Sequence, residues 1–270
     1  RVEELKRTLP IVEYLDPPPS EIWLVADGCT DETVAYVASK HPLVRLIIHE
    51  RPMGSVASRA EVMSQVEGDL VLALDDDSYP EQHDCLARLT SLFTTRPKLA
   101  IATFPQRSDE YPETLALQNF GVERAVRSFP NSGACMRVAA YRSLPGFESM
   151  FFHMYEEPDY ALQCVANGWE VMFFPEVTIR HHWTPNQRSE IRNHHRHARN
   201  ELWSTLMRCP FPYALGILVY RAFAQARYAL TRGVGWVIRE PVWWWQAFKG
   251  IPEALQRRKP VTWEGYRKWL

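Results

Sequence analysis

Two acidic clusters carry the strongest chemical signal in this chain. Asp75-Asp76-Asp77 closes the apolar run Leu70-Val71-Leu72-Ala73-Leu74, and Glu156-Glu157-Pro158-Asp159 opens a stretch with helical spacing. Adjacent carboxylates repel one another unless a cation or solvent offsets them. Oxygen ligands suit Mg2+ or Mn2+, which usually takes one or two carboxylates together with substrate phosphates. The first cluster therefore suggests a metal that offsets the charge of a departing diphosphate. A solvated turn before Pro80, or a cap for a helix from Glu81, explains the same residues without a metal. In the second cluster Pro158 suits the first turn of a helix, where carboxylates also complement the helix dipole. Phe147, Phe151, Phe152, Met154 and Tyr155 lie around it in sequence. A carboxylate in such an apolar wall has a raised pKa and can serve as a general base.

Histidines and arginines form a third group. His181 and His182 follow the strand-like Val177–Ile179, where one imidazole could complete a metal shell. His194, His195 and His197 fall in a helical stretch with Arg192, Arg196 and Arg199. The arginine spacing places all three on one helix face, as a diphosphate clamp or as a solvated basic surface. The five cysteines include no CxxC pair, so neither a zinc site nor a disulfide framework is indicated. A reducing compartment, the cytoplasm, fits that usage.

Short apolar runs alternate with helical patterns over residues 1–103. Strands are expected at Glu21–Val25, Val44–His49, Asp69–Leu74 and Leu99–Thr103. Helices are expected at Glu3–Val12, Asp31–Ser39, Ser55–Val66 and Gln82–Thr94. Such alternation predicts an α/β fold, a mostly parallel sheet with helices on both faces and ligands beyond the carboxyl ends of strands. Asp27 and Asp75–Asp77 both fall at such ends. The pattern weakens from Pro105 to Glu148. It returns as a helix over Asp159–Asn167, a strand over Glu170–Phe174, a helix over Ser189–Met207 and an amphipathic stretch over residues 213–230.

Charge is unevenly distributed. Residues 180–270 hold 16 Lys/Arg against five Glu and no Asp, and eight of the ten Trp lie there. A basic, Trp-rich tail suggests contact with an anionic membrane surface, which would place the protein at the inner face of the plasma membrane. Core packing of the same Trp is the alternative. No nucleic-acid module accompanies the charge, so nucleic acid is not an expected partner.

In order along the chain, these segments resemble the family-2 inverting glycosyltransferases of GT-A fold. The carriers are Val25-Ala26-Asp27-Gly28-Cys29-Thr30-Asp31, Gly54 with Ser58-Arg59, and Leu74-Asp75-Asp76-Asp77. Tyr155-Glu156-Glu157-Pro158-Asp159, Gly168-Trp169, His181 and Arg199-Asn200 continue the series. The resemblance implies a GT-A-like catalytic domain over 1–205 and a helical, basic, Trp-rich extension over 206–270. It implies that Asp27 and Arg59 lie near the nucleotide, with Asp75 and Asp76 also on the donor side. Asp75 and Asp77 match the outer members of the family's DxD motif, with Asp77 the main ligand of Mg2+ or Mn2+. His181 would complete the metal shell, with His182 as substitute. Glu157 takes the position of the base, with Glu156 and Asp159 behind it.

Three departures stand out. The family's first strand, which helps hold the nucleotide base, would precede Arg1; Ala26 stands where the family often has Asp; and Glu157 replaces the usual Asp. No Gln-x-x-Arg-Trp motif of processive synthases occurs. The expectation is one sugar moved from a nucleoside-diphosphate donor to a saccharide or lipid-linked acceptor, as in polysaccharide biosynthesis. A sugar nucleotidyltransferase, or an inactive glycan-binding relative, are the rival readings.

Overall fold

The computed structural model describes residues 1–116, 119–184 and 189–270. The first half runs α1 (Val2–Glu13), β1 (Ile22–Asp27), α2 (Thr33–Lys40), β2 (Val44–His49), α3 (Ser55–Gln65), β3 (Leu70–Ala73), β4 (Ser78–Pro80), α4 (Cys85–Thr95), β5 (Leu99–Thr103), β6 (Gln106–Arg107) and α5 (Pro112–Ala116). It continues with β7 (Arg124–Ala125), β8 (Ala134–Arg137), α6 (Val138–Arg142), α7 (Glu156–Ala166), β9 (Glu170–Phe173), β10 (Ile179–His181) and α8 (Glu190–Arg208). The chain ends in α9 (Tyr213–Arg232), α10 (Val234–Val237), α11 (Glu240–Lys249), α12 (Ile251–Gln256) and α13 (Trp263–Trp269).

A five-stranded sheet in the order β3-β8-β5-β9-β7 forms the centre; β4-β10-β6 form a second sheet and β1-β2 a parallel pair. Helices cover both faces, as the alternating pattern predicts. On one face α4 buries Cys85, Leu89 and Phe93 at helical spacing against Leu99, Ala102 and Cys135. On the other, Met63 of α3 and Tyr160 and Cys164 of α7 meet Ile101, Ala134 and Met136. The two faces of β8 thus feed two cores, as the period-2 alternation of a strand requires.

The sheet is more mixed than the sequence suggests. Among the described residues, three strand pairings are parallel and four antiparallel. Two of the four join β10 to β4 and β7 to β9, and the other two come from β8, which runs antiparallel to both β3 and β5. Its Ala134, Cys135 and Met136 are all buried, so polar and apolar residues do not alternate there. A four-residue strand covered on both sides leaves almost no periodic signal.

The expected boundary at 205/206 falls inside the continuous helix α8. Downstream, Tyr266 and Trp269 of α13 pack with Leu162, Cys209 and Ala214. The Trp residues divide in two. Trp243 is buried and its Nε1–H donates to Glu240 at 2.8 Å, and Trp203 donates to the Ala247 carbonyl at 2.8 Å. Trp244 and Trp245 stay exposed.

Candidate active site

The first acidic cluster sits in the turn from β3 into β4. The Asp75 amide donates to Ser78 Oγ at 2.8 Å, and the Ser78 amide donates to the Asp75 carbonyl at 3.1 Å. This turn sends the three side chains to different places. Asp75 opens on a cleft of about 1300 Å³. Asp76 turns to the Arg1 guanidinium, at 2.7 Å from Nη2, and lies outside the cleft lining. Asp77 is buried.

Strand register supplies the partner of Asp77. β10 pairs antiparallel with β4 and sets His181 opposite Ser78. His181 Nε2 then lies 3.2 Å from Asp77 Oδ1. Among the described residues both atoms are buried without a well-formed hydrogen bond, although unpaired buried polar atoms are costly. The other imidazole nitrogen, Nδ1, lies 3.2 Å from Gln106 Oε1. With a cation bound, donation from Nδ1 would leave the Nε2 lone pair for the metal; without one, a proton on Nε2 faces Asp77 Oδ1. One ligand atom each from Asp75, Asp77 and His181 lie within 4.8 Å of one another. Oxygens and an imidazole nitrogen suit Mn2+ or Mg2+, and neighbouring ligands on bonds of about 2.1 Å stand about 3 Å apart. The donor set fits a divalent cation. Burial opposes ionisation of Asp77, but His181 and then Arg1 hold its carboxyl below the usual range.

Glu156, Glu157 and Asp159 form the first turn of α7, which begins three residues earlier than the sequence pattern indicates. The approach is backbone-strained: Phe152, Met154 and Tyr155 have φ of 64°, 74° and 72°, a region side chains other than glycine rarely adopt. Asn200 of α8 holds this loop, its Nδ2 within 3.1 Å of the Phe151, His153 and Met154 carbonyl oxygens. Arg199 adds a bond to the Phe151 carbonyl at 3.2 Å. From the other side, Gly54 (φ 94°) packs so tightly that a Cβ there would lie 2.3 Å from the Phe152 oxygen.

The carboxylates of this turn have different surroundings. Asp159 is saturated: it accepts from Ser204 at 2.6 Å, from Gln163 at 2.7 Å and from Arg208 at 3.1 Å. Arg208 also reaches Glu148 at 2.8 Å, so Asp159 belongs to a buried network joining α7 to α8. Glu156 is buried, its Oε2 without a partner, and burial raises its pKa. Glu157 lines the cleft. Burial first, and then the neighbouring Glu156, push its carboxyl up to about 8, with Arg59 opposing.

Arg59 joins the two clusters. Its guanidinium bonds Asp75, and the charges of Asp75, Glu156 and Glu157 together keep it protonated against the cost of burial. Asp75, Glu156, Glu157, His181 and Arg59 all line one cleft.

Other residues singled out in the sequence sit elsewhere. Asp27 accepts from the Met53 and Gly54 amides at 2.7 and 2.8 Å and contacts His49 at 2.8 Å. Both of its oxygens are occupied with shaping the loop before α3, and it is not among the cleft-lining residues. The His182 amide donates to the Asp77 carbonyl at 2.8 Å, but its imidazole turns to Glu4 at 3.1 Å and meets Tyr79 edge-on. Arg192, Arg196 and Arg199 do not line the cleft. Arg196 lies over the Phe152 ring and Arg199 over Trp203, at 5.0 and 4.6 Å. Two contributors were not singled out in the sequence. Gln106 orients His181 from the two-residue strand β6, and Ser132 donates to the same Gln106 oxygen at 3.2 Å. The preceding Asn131-Ser132-Gly133 turn is the nearest sequence hint. A Cβ on Gly133 would meet Ile179 at 2.5 Å and Gln106 at 2.9 Å.

The glycosyltransferase-like family 2 profile matches residues 5–200, most of the chain. This chain belongs to that family. The glycosyltransferase also shares its architecture with solved structures. The mannosyltransferase PcManGT from Pyrobaculum calidifontis, in complex with GDP-Man and Mn2+, superposes with a TM-score of 0.59 at 17% identity, covering 100% of this chain and 82% of that one. Residues 1–349 of S. aureus TarS give 0.61 at 14% identity, covering 94% and 77%. GalNAc-T7 with UDP, GalNAc and Mn2+ gives 0.58 at 12%, covering 77% and 46%. At these identities the likeness shows the GT-A fold. No curated protein sequence matches the glycosyltransferase at a significant level.

Proposed function

We propose that this chain transfers a single sugar from a nucleoside-diphosphate donor to an acceptor hydroxyl, with inversion and with the help of Mg2+ or Mn2+. The observation that carries the reading is the convergence of both acidic clusters on one cleft with Arg59 between them. Asp75, Asp77 and His181 would hold the cation, which when bound offsets negative charge developing on the diphosphate. The GDP-Man and UDP complexes of the structural neighbours support a nucleotide-linked donor.

Glu157 faces the cleft and takes the proton from the acceptor hydroxyl. Its raised pKa makes it a stronger base once ionised, and nearby Arg59 favours the ionised form. Glu156 keeps the carboxyl of Glu157 high, and Asp159 anchors the helix that presents it. One displacement, with the acceptor oxygen attacking opposite the leaving diphosphate, inverts the anomeric centre and needs no covalent intermediate. Among the described residues, no helix is long and apolar enough to cross a membrane. Five free cysteines, four of them buried, accord with action in the cytoplasm on a saccharide or lipid-linked acceptor.

The test is a donor panel of nucleotide sugars with Mn2+, with product anomers resolved by NMR. Release of diphosphate and an inverted linkage is the expected outcome, abolished by EDTA. A retained linkage, or full activity in EDTA, would sink the mechanism.

A further inference from the structure

The C-terminal helices carry a surface that the transfer reaction does not use. Among the described residues, seventeen of the 24 exposed large apolar side chains lie from Phe211 onward. On α9, Leu215, Val219, Phe223 and Leu230 recur at helical spacing with Tyr220 beside them, each 59–72% exposed. The opposite side of this helix packs on α8, through Gln225 to Glu201 at 2.6 Å and Arg221 to Glu201 at 3.0 Å. Ile238, just after α10, and Val242, Trp245 and Phe248 of α11 are 50–72% exposed, while Trp243 and Ala247 of α11 face α8. Both helices thus present apolar residues outward as well as inward, which ordinary surface helices do not.

Charge says what covers this surface. Residues 211–250 contain five cations, Arg221, Arg227, Arg232, Arg239 and Lys249, and a single acid, Glu240. Glu240 is buried and contacts His194 at 3.0 Å and Trp243 at 2.8 Å. Arg221 and Arg232 reach back to acids of α8, whereas Arg227, Arg239 and Lys249 have no acidic partner among the described residues. A symmetric contact between two copies would bring these cations toward their own kind with no acid between them. Anionic lipid headgroups complement them, while Trp and Tyr rings sit well at the boundary between headgroup and acyl chain.

We propose that α9, α10 and α11 form a docking face for an anionic lipid bilayer, resting in its interface without crossing it. The inference rests on the exposed apolar stripes and their unopposed cations, independently of the sugar chemistry. Apolar side chains enter the acyl boundary, and Arg227, Arg239 and Lys249 meet the phosphates. The cleft is thereby held near the membrane surface.

Flotation of the full chain with vesicles of phosphatidylcholine, with and without phosphatidylglycerol, tests this. Binding is expected to the anionic vesicles at low salt, to weaken at about 1 M salt where the Debye length shrinks to about 3 Å, and to shift Trp emission to the blue. Phe223→Glu and Trp245→Glu, on separate helices, should each lower partitioning roughly tenfold or more. Both side chains are largely exposed, so an unchanged melting temperature shows the fold is kept. No flotation at low salt, or undiminished flotation of both variants, overturns the proposal. So does a concentration-dependent dimer in ultracentrifugation that these substitutions abolish while vesicles remain unbound. None of these readouts requires the chain to be active, so they stand or fall apart from the transfer reaction.

Discussion

Asp77 of the first acidic cluster and Glu157 of the second carry the same functional group and end in opposite electrostatic states. At the end of β3, buried Asp77 is kept ionised by His181 and Arg1. At the start of α7, burial and mutual repulsion favour the protonated form, and the Glu157 carboxyl climbs to about 8. The first environment suits a permanent ligand of a cation and the second a group that takes up a proton. Neighbours, rather than residue type, divide the labour. Arg59, bonded to Asp75 and close to both glutamates, sets the balance between them.

The sharpest way to break this contrast is Glu157→Gln, which keeps the shape and removes the base. Turnover should fall by roughly 10²–10⁴ with donor KM little changed. In the parent enzyme kcat/KM should rise with pH through about 8, and that dependence should vanish in the variant. A variant that keeps both rate and pH profile would remove Glu157 from the mechanism.

Asp77→Asn attacks the other side of the comparison. A loss of roughly 10²–10³ in kcat, with weaker Mn2+ binding by calorimetry, is expected. His181→Ala should weaken Mn2+ binding by about 10–100-fold if it is a ligand, and His182→Ala should leave it unchanged.

Asp159→Asn separates scaffold from chemistry within one helical turn. It breaks the buried pair with Arg208, so unfolding free energy should drop by about 3–5 kcal/mol in denaturant titrations. A fully stable variant that has lost catalysis would return Asp159 to the role of base.

The smallest effect concerns stability against pH. Folded Glu157 retains a proton that the unfolded chain releases, between about pH 4.5 and about 8. Stability therefore declines as pH rises through that window. Glu157→Gln escapes the decline and should be more stable than the parent by about 2–4 kcal/mol above pH 8, with no advantage near pH 4. Thermal melts across pH would show this; parallel curves would contradict the raised pKa.

Much of the fold was legible because long apolar runs and helical spacing are local properties. β2 and β5 occur over the expected spans, Val44–His49 and Leu99–Thr103. Residues 105–148 were opaque for a physical reason. β6 and β7 have two residues each, and β8 has four, three of them buried, too short or too uniform for any period to show. Asn200 was visible only as one of the carriers of the family resemblance. Its work, holding three carbonyls of a strained loop, depends on a contact made across nearly fifty positions of chain.

The resemblance of the ordered motifs to family-2 glycosyltransferases pointed to the class of protein, and residue chemistry pointed to the carboxylates. Their roles were set by contacts distant in sequence. β10 register brings His181 to Asp77, Gln106 orients that imidazole, and Arg59 stands between the clusters. Asp159 is withdrawn into a pair with Arg208, and Asp27 into the loop before α3. Ionisation and availability depend on burial and on neighbours a few ångströms away, and only the folded chain brings those neighbours together.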